Sequence, residues 1–374
     1  MLKVIKFGGS SLACADCFLK AAEAVGSDAD CRFVVVSAPG KRKPGDEKIT
    51  DLLKSYCFSG EKNASVIIKK IERRMKSITR SLGLGTAIAE ESLCFAGQNH
   101  VRGFEDCDYI IGRGEYFSAC VMSRLLGFQT VDGGDIIAFD DGGTFDPELS
   151  VSRAAKTLAG RNNAVIPGFY GRKDDGTVKV LPRGGSDVTG AVAARAVDAD
   201  LYCNCTDVDG VYCCNPQLAA NPPVAGILTY GELYGLALAG AKVVHPTAVS
   251  VLQGSGVPIL VKNAFGRERG TLVVPEAGNV DFYRKKFGFA HCAGKSGIDG
   301  ISGRGGIIAA AGVGIMKNTE LIGTIQEILL CGGIASERTG IFCNRDCVAF
   351  RVKPSDCDNA VRMLYRELFR KDNA

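Results

Sequence analysis

The sequence predicts an α/β protein: a three-layer domain on a mostly parallel central sheet, followed by a small α+β module. Two observations carry this. Short apolar runs, Phe33-Val-Val-Val-Ser37 above all, alternate with stretches of helical periodicity, and unbroken apolar runs suit parallel strands covered on both faces. The pattern then changes after Gly270-Thr-Leu-Val-Val274, and from Ile307 it reads strand, helix, strand, strand, helix, as in a small unit on an antiparallel sheet. The expected division is a first domain over 1–274, a linking stretch over 275–305 and a final module over 306–374.

Taken in order, Lys3-Val-Ile-Lys-Phe7 reads as a strand ended by Gly8-Gly9, with Ser10 and Ser11 placed to cap a helix through Phe18 and Val25. Phe33–Ser37 is the second strand, and Pro39–Lys48 is a charged loop. Ile49 to about Asn99 is helical, with Ile67, Ile68, Ile71, Met75 and Ile78 on one stripe. Glu115–Leu126 reads as a helix, Phe128–Asp132 and Ile136–Phe139 as strands, and Val151–Ala159 as a helix. Ala164–Gly171 is a strand running into a turn, and Lys173-Asp-Asp-Gly-Thr177 a hairpin turn before Val178–Leu181. A helix over Ala191–Val197, a strand over Asp200–Cys203, a helix over Tyr230–Ala239 and a strand over Val257–Lys262 complete the alternation. Val280–Gly305 is glycine-rich and weakly patterned. Ile307–Gly312, Ile334–Phe342 and Asp346–Val352 then read as strands, and Asn318–Cys331 and Asp356–Phe369 as helices.

Composition narrows the function classes. A net charge of +4 over 374 residues offers no basic stripe of the kind nucleic acids require. No apolar run reaches the twenty or so residues of a membrane span, and the N-terminus lacks the apolar core of a signal peptide, so the reading is cytoplasmic. Sixteen cysteines in a chain of this size read as buried thiols rather than a secreted disulfide framework. Cys14-Ala-Asp-Cys17 has no second pair, and three histidines supply no zinc set, so no metal site is assigned.

Several loops could handle anions. Lys6-Phe-Gly-Gly-Ser10 puts a lysine at a strand end and glycines at a helix start, where backbone N–H groups can meet phosphates. Leu181-Pro-Arg-Gly-Gly-Ser-Asp187 adds an arginine, whose planar fork matches a carboxylate or phosphate, to a hydroxyl and a carboxylate. Gly112-Arg-Gly-Glu115 places a carboxylate at an expected helix start, where the dipole favours it, or where it could hold a substrate ammonium. Thr206-Asp-Val-Asp-Gly-Val-Tyr212 reads as a turn or a nucleoside-holding cluster, and Lys242 as a phosphate contact or a side chain reaching solvent. Together these residues describe phosphoryl transfer by positioning, with magnesium carried on the nucleotide and an arginine–glutamate pair for a zwitterionic acceptor.

These motifs, with Ile49-Thr-Asp51, Gly240-Ala-Lys-Val-Val-His-Pro246 and Val261-Lys-Asn263, resemble the aspartate kinase family in order and approximate spacing from residue 1 to about 274. Ser37-Ala-Pro-Gly-Lys-Arg42 is most similar to clostridial-type members. The resemblance implies the amino acid kinase fold with a C-terminal ACT-type region. It also implies ATP-dependent phosphorylation of the L-aspartate β-carboxylate, the first step towards lysine, threonine and methionine. By the same resemblance Lys6, Gly8, Gly9 and Ser10 meet the ATP phosphates. Ser37, Thr50 and Ser186 lie at the acceptor, Glu115 takes its ammonium and Arg183 its α-carboxylate. Asp187 orients the reacting groups, while Thr206, Asp207, Tyr212 and Lys242 border the nucleotide. A homodimer through the ACT-like module is also implied.

The chain departs from the family at Cys213-Cys-Asn-Pro-Gln217, which stands where Asp-Pro-Arg is usual, and at Gly235, where glutamate is common. Its C-terminal region has room for little more than one ACT module. Phe287–His291 and Ser296–Asp299 resemble remnants of the first. Two other readings are a kinase for a glutamate-type acceptor and a catalytically weak sensor of an amino acid.

Overall fold

In the computed structural model, which describes residues 1–97, 104–182, 184–238, 240–241, 243–275, 297–301 and 306–369, the chain falls into two units. The first comprises Met1–Asp207 and Ala264–Gly266, the second Val208–Asn263 and Arg267–Ala374.

The first unit holds β1 (Lys3–Phe7), β2 (Cys31–Val36), β3 (Ala164–Pro167), the hairpin β4 (Tyr170–Arg172) and β5 (Val178–Val180), and β6 (Leu201–Thr206). The order β3-β2-β1-β6 is parallel throughout. Phe33–Val36 are all buried, as a strand covered on both faces must be. Its helices are α1 (Ala15–Gly26), α2 (Ile49–Cys57), α3 (Glu61–Ser81), α4 (Ala87–Ser92), α5 (Phe104–Leu126), α6 (Pro147–Leu158) and α7 (Gly185–Ala196). α7 lies on β1, β2 and β6 and packs with α6, whereas α5 lies on β2 and β3 and packs with α1 and α2. The stripe on α3 is confirmed where it matters: Ile71, Met75 and Ile78 are buried.

Four local expectations are corrected. α5 begins at Phe104, so Glu115 sits in mid-helix and owes nothing to a helix N-terminus. Gly112 and Gly114 in that helix answer a packing demand: a Cβ on Gly112 would lie 2.9 Å from the Tyr170 ring, and one on Gly114 2.7 Å from the Ala38 Cβ. The strands expected at 128–132 and 136–139 shrink to isolated pairings, Thr130 with Val165 and Ala138 with Arg172. Between them the Asp132 carboxylate accepts from the Gly134 N–H and holds the turn Gly133–Asp135, so the buried Ile136–Phe139 reflect burial without a ladder. α7 starts six residues before the expected Ala191, with the Thr189 hydroxyl donating to the Gly185 carbonyl at 3.1 Å. Ser10 and Ser11 lie in the single turn Gly9–Leu12, and α1 follows Cys14 instead.

The second unit contains β7 (Ile227–Thr229), α8 (Tyr230–Leu238), α9 (Pro246–Leu252), β8 (Ile259–Asn263) and β9 (Thr271–Val274), with β9 parallel to β7 and antiparallel to β8. It continues with β10 (Gly297–Ile301), β11 (Ile307–Ala311), α10 (Thr319–Cys331), β12 (Glu337–Asn344), β13 (Cys347–Arg351) and α11 (Cys357–Phe369). Here the sheet order is β10-β11-β13-β12, antiparallel throughout. The stretch resembling a remnant of a first module thus supplies an edge strand of this same sheet; Phe287–His291 lie outside the described residues.

Two departures from the family acquire a physical reason here. Cys214 is buried in the module's core with Ile308, Phe350 and Leu364, and Leu218 and Ala219 pack against it. The Arg362 guanidinium donates to the Leu218 carbonyl at 3.2 Å. The turn at 213–219 is therefore committed to packing. On α8, a Cβ at Gly235 would fall 2.4 Å from the Cys347 Sγ, so a glutamate has no room there. Among the described residues no helix is long and apolar enough to cross a membrane.

Candidate active site

Parallel register brings the carboxyl ends of β1, β2 and β6 level, because Phe7 pairs with both Val36 and Cys205. Gly8, Ser37 and Thr206 therefore leave the sheet along one edge, where open α/β sheets bind ligands. The Gly8 N–H donates to the Cys205 carbonyl at 3.1 Å and the Gly40 N–H to the Gly9 carbonyl at 2.7 Å. A Cβ on Gly9 would stand 2.8 Å from the Ala38 carbonyl oxygen, so the two loops meet at a distance only glycine permits.

The centre of this edge is an ion pair. Lys6 Nζ lies 2.7 Å from an Asp187 carboxylate oxygen and donates to the Asn204 side-chain carbonyl at 3.2 Å. All three residues are buried. Lys6 comes from β1, Asn204 from β6, and Asp187 from the first turn of α7, where its own N–H donates to the Gly184 carbonyl. The Tyr202 hydroxyl donates to the Asp187 carbonyl oxygen at 3.1 Å and fixes that turn against the sheet. A buried pair of this kind is weak evidence for stability but fixes where a cation stands.

Glu115 differs in having no charged partner at contact distance among the described residues. It is 4% exposed, and burial pushes its carboxyl up to about 8, against the pull of the Ala38 N–H it accepts from and of the Lys54 charge. Its Oε2 has no hydrogen-bond partner among the described residues. A carboxyl in this state ionises when a cation arrives beside it, which is what an ammonium-binding group must do.

The remaining expected residues divide plainly. Ser37 and Thr50 are half-buried, Thr50 in the first turn of α2, and Ser10 is exposed. Ser186 is buried against Gly168, where a Cβ would be 2.7 Å from its Oγ. Thr206 donates to the Asp207 carboxylate at 3.2 Å. Tyr212 belongs to the second unit. Arg183 and Lys242 lie outside the described residues, so one arm of the expected arginine–glutamate clamp is seen, the Glu115 arm. No three His, Cys, Asp or Glu side chains group as a metal site among the described residues.

Three residues were missed from the sequence. Asn204 holds Lys6, and its Nδ2 has no partner among the described residues; the signal was an amide inside the apolar run Leu-Tyr-Cys-Asn-Cys. Lys54 lies 6.0 Å from the centre of the Phe169 ring and acts on Glu115. Phe169 adopts φ 75°, a strained state for an aromatic residue and one that gathers at functional sites. Neither Lys54 nor Phe169 carries a sequence signal of its own.

Comparison with known proteins agrees with this geometry. The profile of the amino acid kinase family matches residues 1–263. Aspartokinase 3 of Bacillus subtilis is 32% identical over 299 residues, 75% of this chain and 65% of that protein. Lysine-sensitive aspartokinase 3 of Escherichia coli is 28% identical, over 75% of this chain and 66% of its own length. The chain thus spans about two thirds of the length of these curated relatives. Among solved structures, Clostridium acetobutylicum aspartate kinase aligns with TM-score 0.68 at 29% identity, covering 98% of this chain and 82% of that one. E. coli aspartokinase III in complex with aspartate and ADP aligns with TM-score 0.77 at 20% identity, which speaks for the fold, over 99% of this chain and all of that one. On the match over residues 1–263, more than half of its length, the chain belongs to the amino acid kinase family.

Proposed function

We propose that the chain is an aspartate kinase, a cytosolic enzyme that transfers the γ-phosphoryl group of MgATP to the β-carboxylate of L-aspartate. The observation that carries this reading is the pairing of a cation fixed at the strand ends, Lys6 on Asp187, with a buried carboxyl, Glu115, whose Oε2 has no partner among the described residues. Phosphates require the first and a zwitterionic acceptor the second.

In the proposed reaction Gly9 and Ser10 offer backbone and hydroxyl donors to the phosphates, and Gly8, whose N–H is held by the Cys205 carbonyl, borders them without a side chain beside Lys6. Lys6 moves part of its charge from Asp187 to the transferring group. Glu115 ionises against the substrate ammonium, Arg183 takes the α-carboxylate, and Ser37, Thr50 and Ser186 border the acceptor. The β-carboxylate oxygen attacks the γ-phosphorus as the bond to the bridging oxygen breaks, giving 4-phospho-L-aspartate and ADP. Thr206, Asp207, Tyr212 and Lys242 would border the nucleotide. Magnesium would arrive with ATP and neutralise its phosphates. The proposal extends to a catalytic region over 1–274 and to a homodimer through the module over 306–374. Incubation with MgATP, L-aspartate and hydroxylamine tests the activity, because hydroxylamine traps an acylphosphate as the hydroxamate. Product with aspartate and little with glutamate is expected. Product with glutamate alone would move the acceptor, and none with any amino acid would leave a sensor.

A further inference from the structure

Cys14 flanks the start of α1 and Cys17 stands in its first turn, so the two side chains share one side of the helix. The Cys14 thiol donates to the Cys17 sulfur at 3.3 Å, and both residues are half-buried, within reach of a small reagent. Cys14 feels the charges of Arg42 and Arg74, and Arg74 donates to the adjacent Ala13 carbonyl at 3.3 Å. Asp46 takes up part of that charge, 2.8 Å from Arg42 and 3.7 Å from Arg74, and Asp16 is exposed in the same turn. Burial and the neighbouring Cys14 push the Cys17 thiol up, so the two sulfurs are not equivalent. Other cysteines are placed differently. Cys31 is buried and pushed up to about 12, and so is the half-buried Cys57.

We infer that Cys14 and Cys17 form a reversible dithiol–disulfide site that exchanges with small disulfides. The Cys14 thiolate attacks one sulfur of the incoming disulfide, that bond breaks, and the first small thiolate leaves. Cys17 gives its proton to the leaving thiolate and attacks the Cys14 sulfur, expelling the second. Two protein thiols lose two electrons and two protons, and one small disulfide becomes two thiols. The two sulfurs already stand in contact at the helix start, and a second cysteine three residues on makes closure intramolecular.

Trypsin makes the site easy to read, since Phe7–Lys20 contains Cys14 and Cys17 and no other cysteine. The full chain is incubated with oxidised glutathione, quenched with iodoacetamide and digested. The expected peptide is lighter by two hydrogens, unalkylated, and restored to a doubly alkylated form by dithiothreitol. Cys17→Ser is expected to hold one glutathione on Cys14, and Cys14→Ser to react about tenfold more slowly at Cys17. A doubly alkylated peptide after oxidation, or one carrying two glutathiones, would overturn the inference. None of these readings depends on kinase activity.

Discussion

Each unit contains a buried polar cluster, and the two are finished differently. In the second unit Thr229, Glu232, Asn344 and Asp346 close on one another. The Thr229 hydroxyl donates to Asp346 at 3.0 Å and accepts from the Glu232 N–H at 3.1 Å, and Glu232 accepts from the Thr229 N–H at 2.6 Å. Asp346 also accepts from the Gly314 N–H, and Asn344 donates to the Gly231 carbonyl. In the first unit Glu115 Oε2 and Asn204 Nδ2 are left without partners among the described residues. Buried polar atoms cost about 1–3 kcal/mol each when unsatisfied. Under the proposed function the open atoms of Glu115 and Asn204 are the ones a ligand would meet, whereas the closed cluster has none to offer.

The largest test of this contrast is Lys6→Met. It removes the cation from the open cluster and leaves Asp187 buried without it. Hydroxamate formation is expected to fall about a thousandfold or more, as when a charge that stabilises a transition state is deleted. Substantial activity in this variant would show that Lys6 is a structural partner of Asp187 and that the phosphates sit elsewhere.

Glu115→Gln sharpens the comparison, because function and stability should move in opposite directions. The folded carboxyl titrates near 8 where an ordinary glutamate titrates near 4.5. Between those values the folded chain keeps a proton that the unfolded chain has lost, so stability falls as pH rises through the window and levels off above it. Glutamine abolishes that slope. Its Tm is expected to exceed the parent's at about pH 9 and to match it near pH 4, while KM for aspartate rises about a hundredfold from the lost ammonium contact. A parent Tm that does not fall between those pH values would mean that Glu115 is ionised in the free protein and paired.

Much of this was legible in the sequence, and the reasons for the failures are specific. Lys6, Gly8 and Asp187 were identifiable because charged residues beside glycines at a strand end or helix start are costly without a use. The setting of Glu115 was misread: its helix was expected to begin at Glu115 but starts at Phe104, and Gly112 and Gly114 are set by Tyr170 and Ala38, which approach from distant parts of the chain. Periodicity found Ile136–Phe139 as apolar and could not tell burial from pairing, since pairing depends on what Asp132 does to the preceding turn. Asn204 escaped because one amide in a strand says nothing until its register with Lys6 is known. The β10 strand was hidden in a glycine-rich stretch, where Ile298 and Ile301 alone are too sparse a pattern to mark a strand until they pair with β11.

The smallest effect is expected in the closed cluster. Thr229→Val keeps the shape and removes the hydroxyl, so one Asp346 oxygen loses a donor and the Glu232 N–H loses its acceptor. A cost of about 1–3 kcal/mol follows from two broken buried bonds, a fall of a few degrees in Tm. Turnover per folded molecule should not change, because no residue of this cluster belongs to the site at the β1, β2 and β6 strand ends. Thermal melting beside the hydroxamate assay separates the two quantities. A turnover loss with an unchanged Tm would mean that the closed cluster acts on the reaction, and completeness of hydrogen bonding would then no longer distinguish a structural cluster from a site.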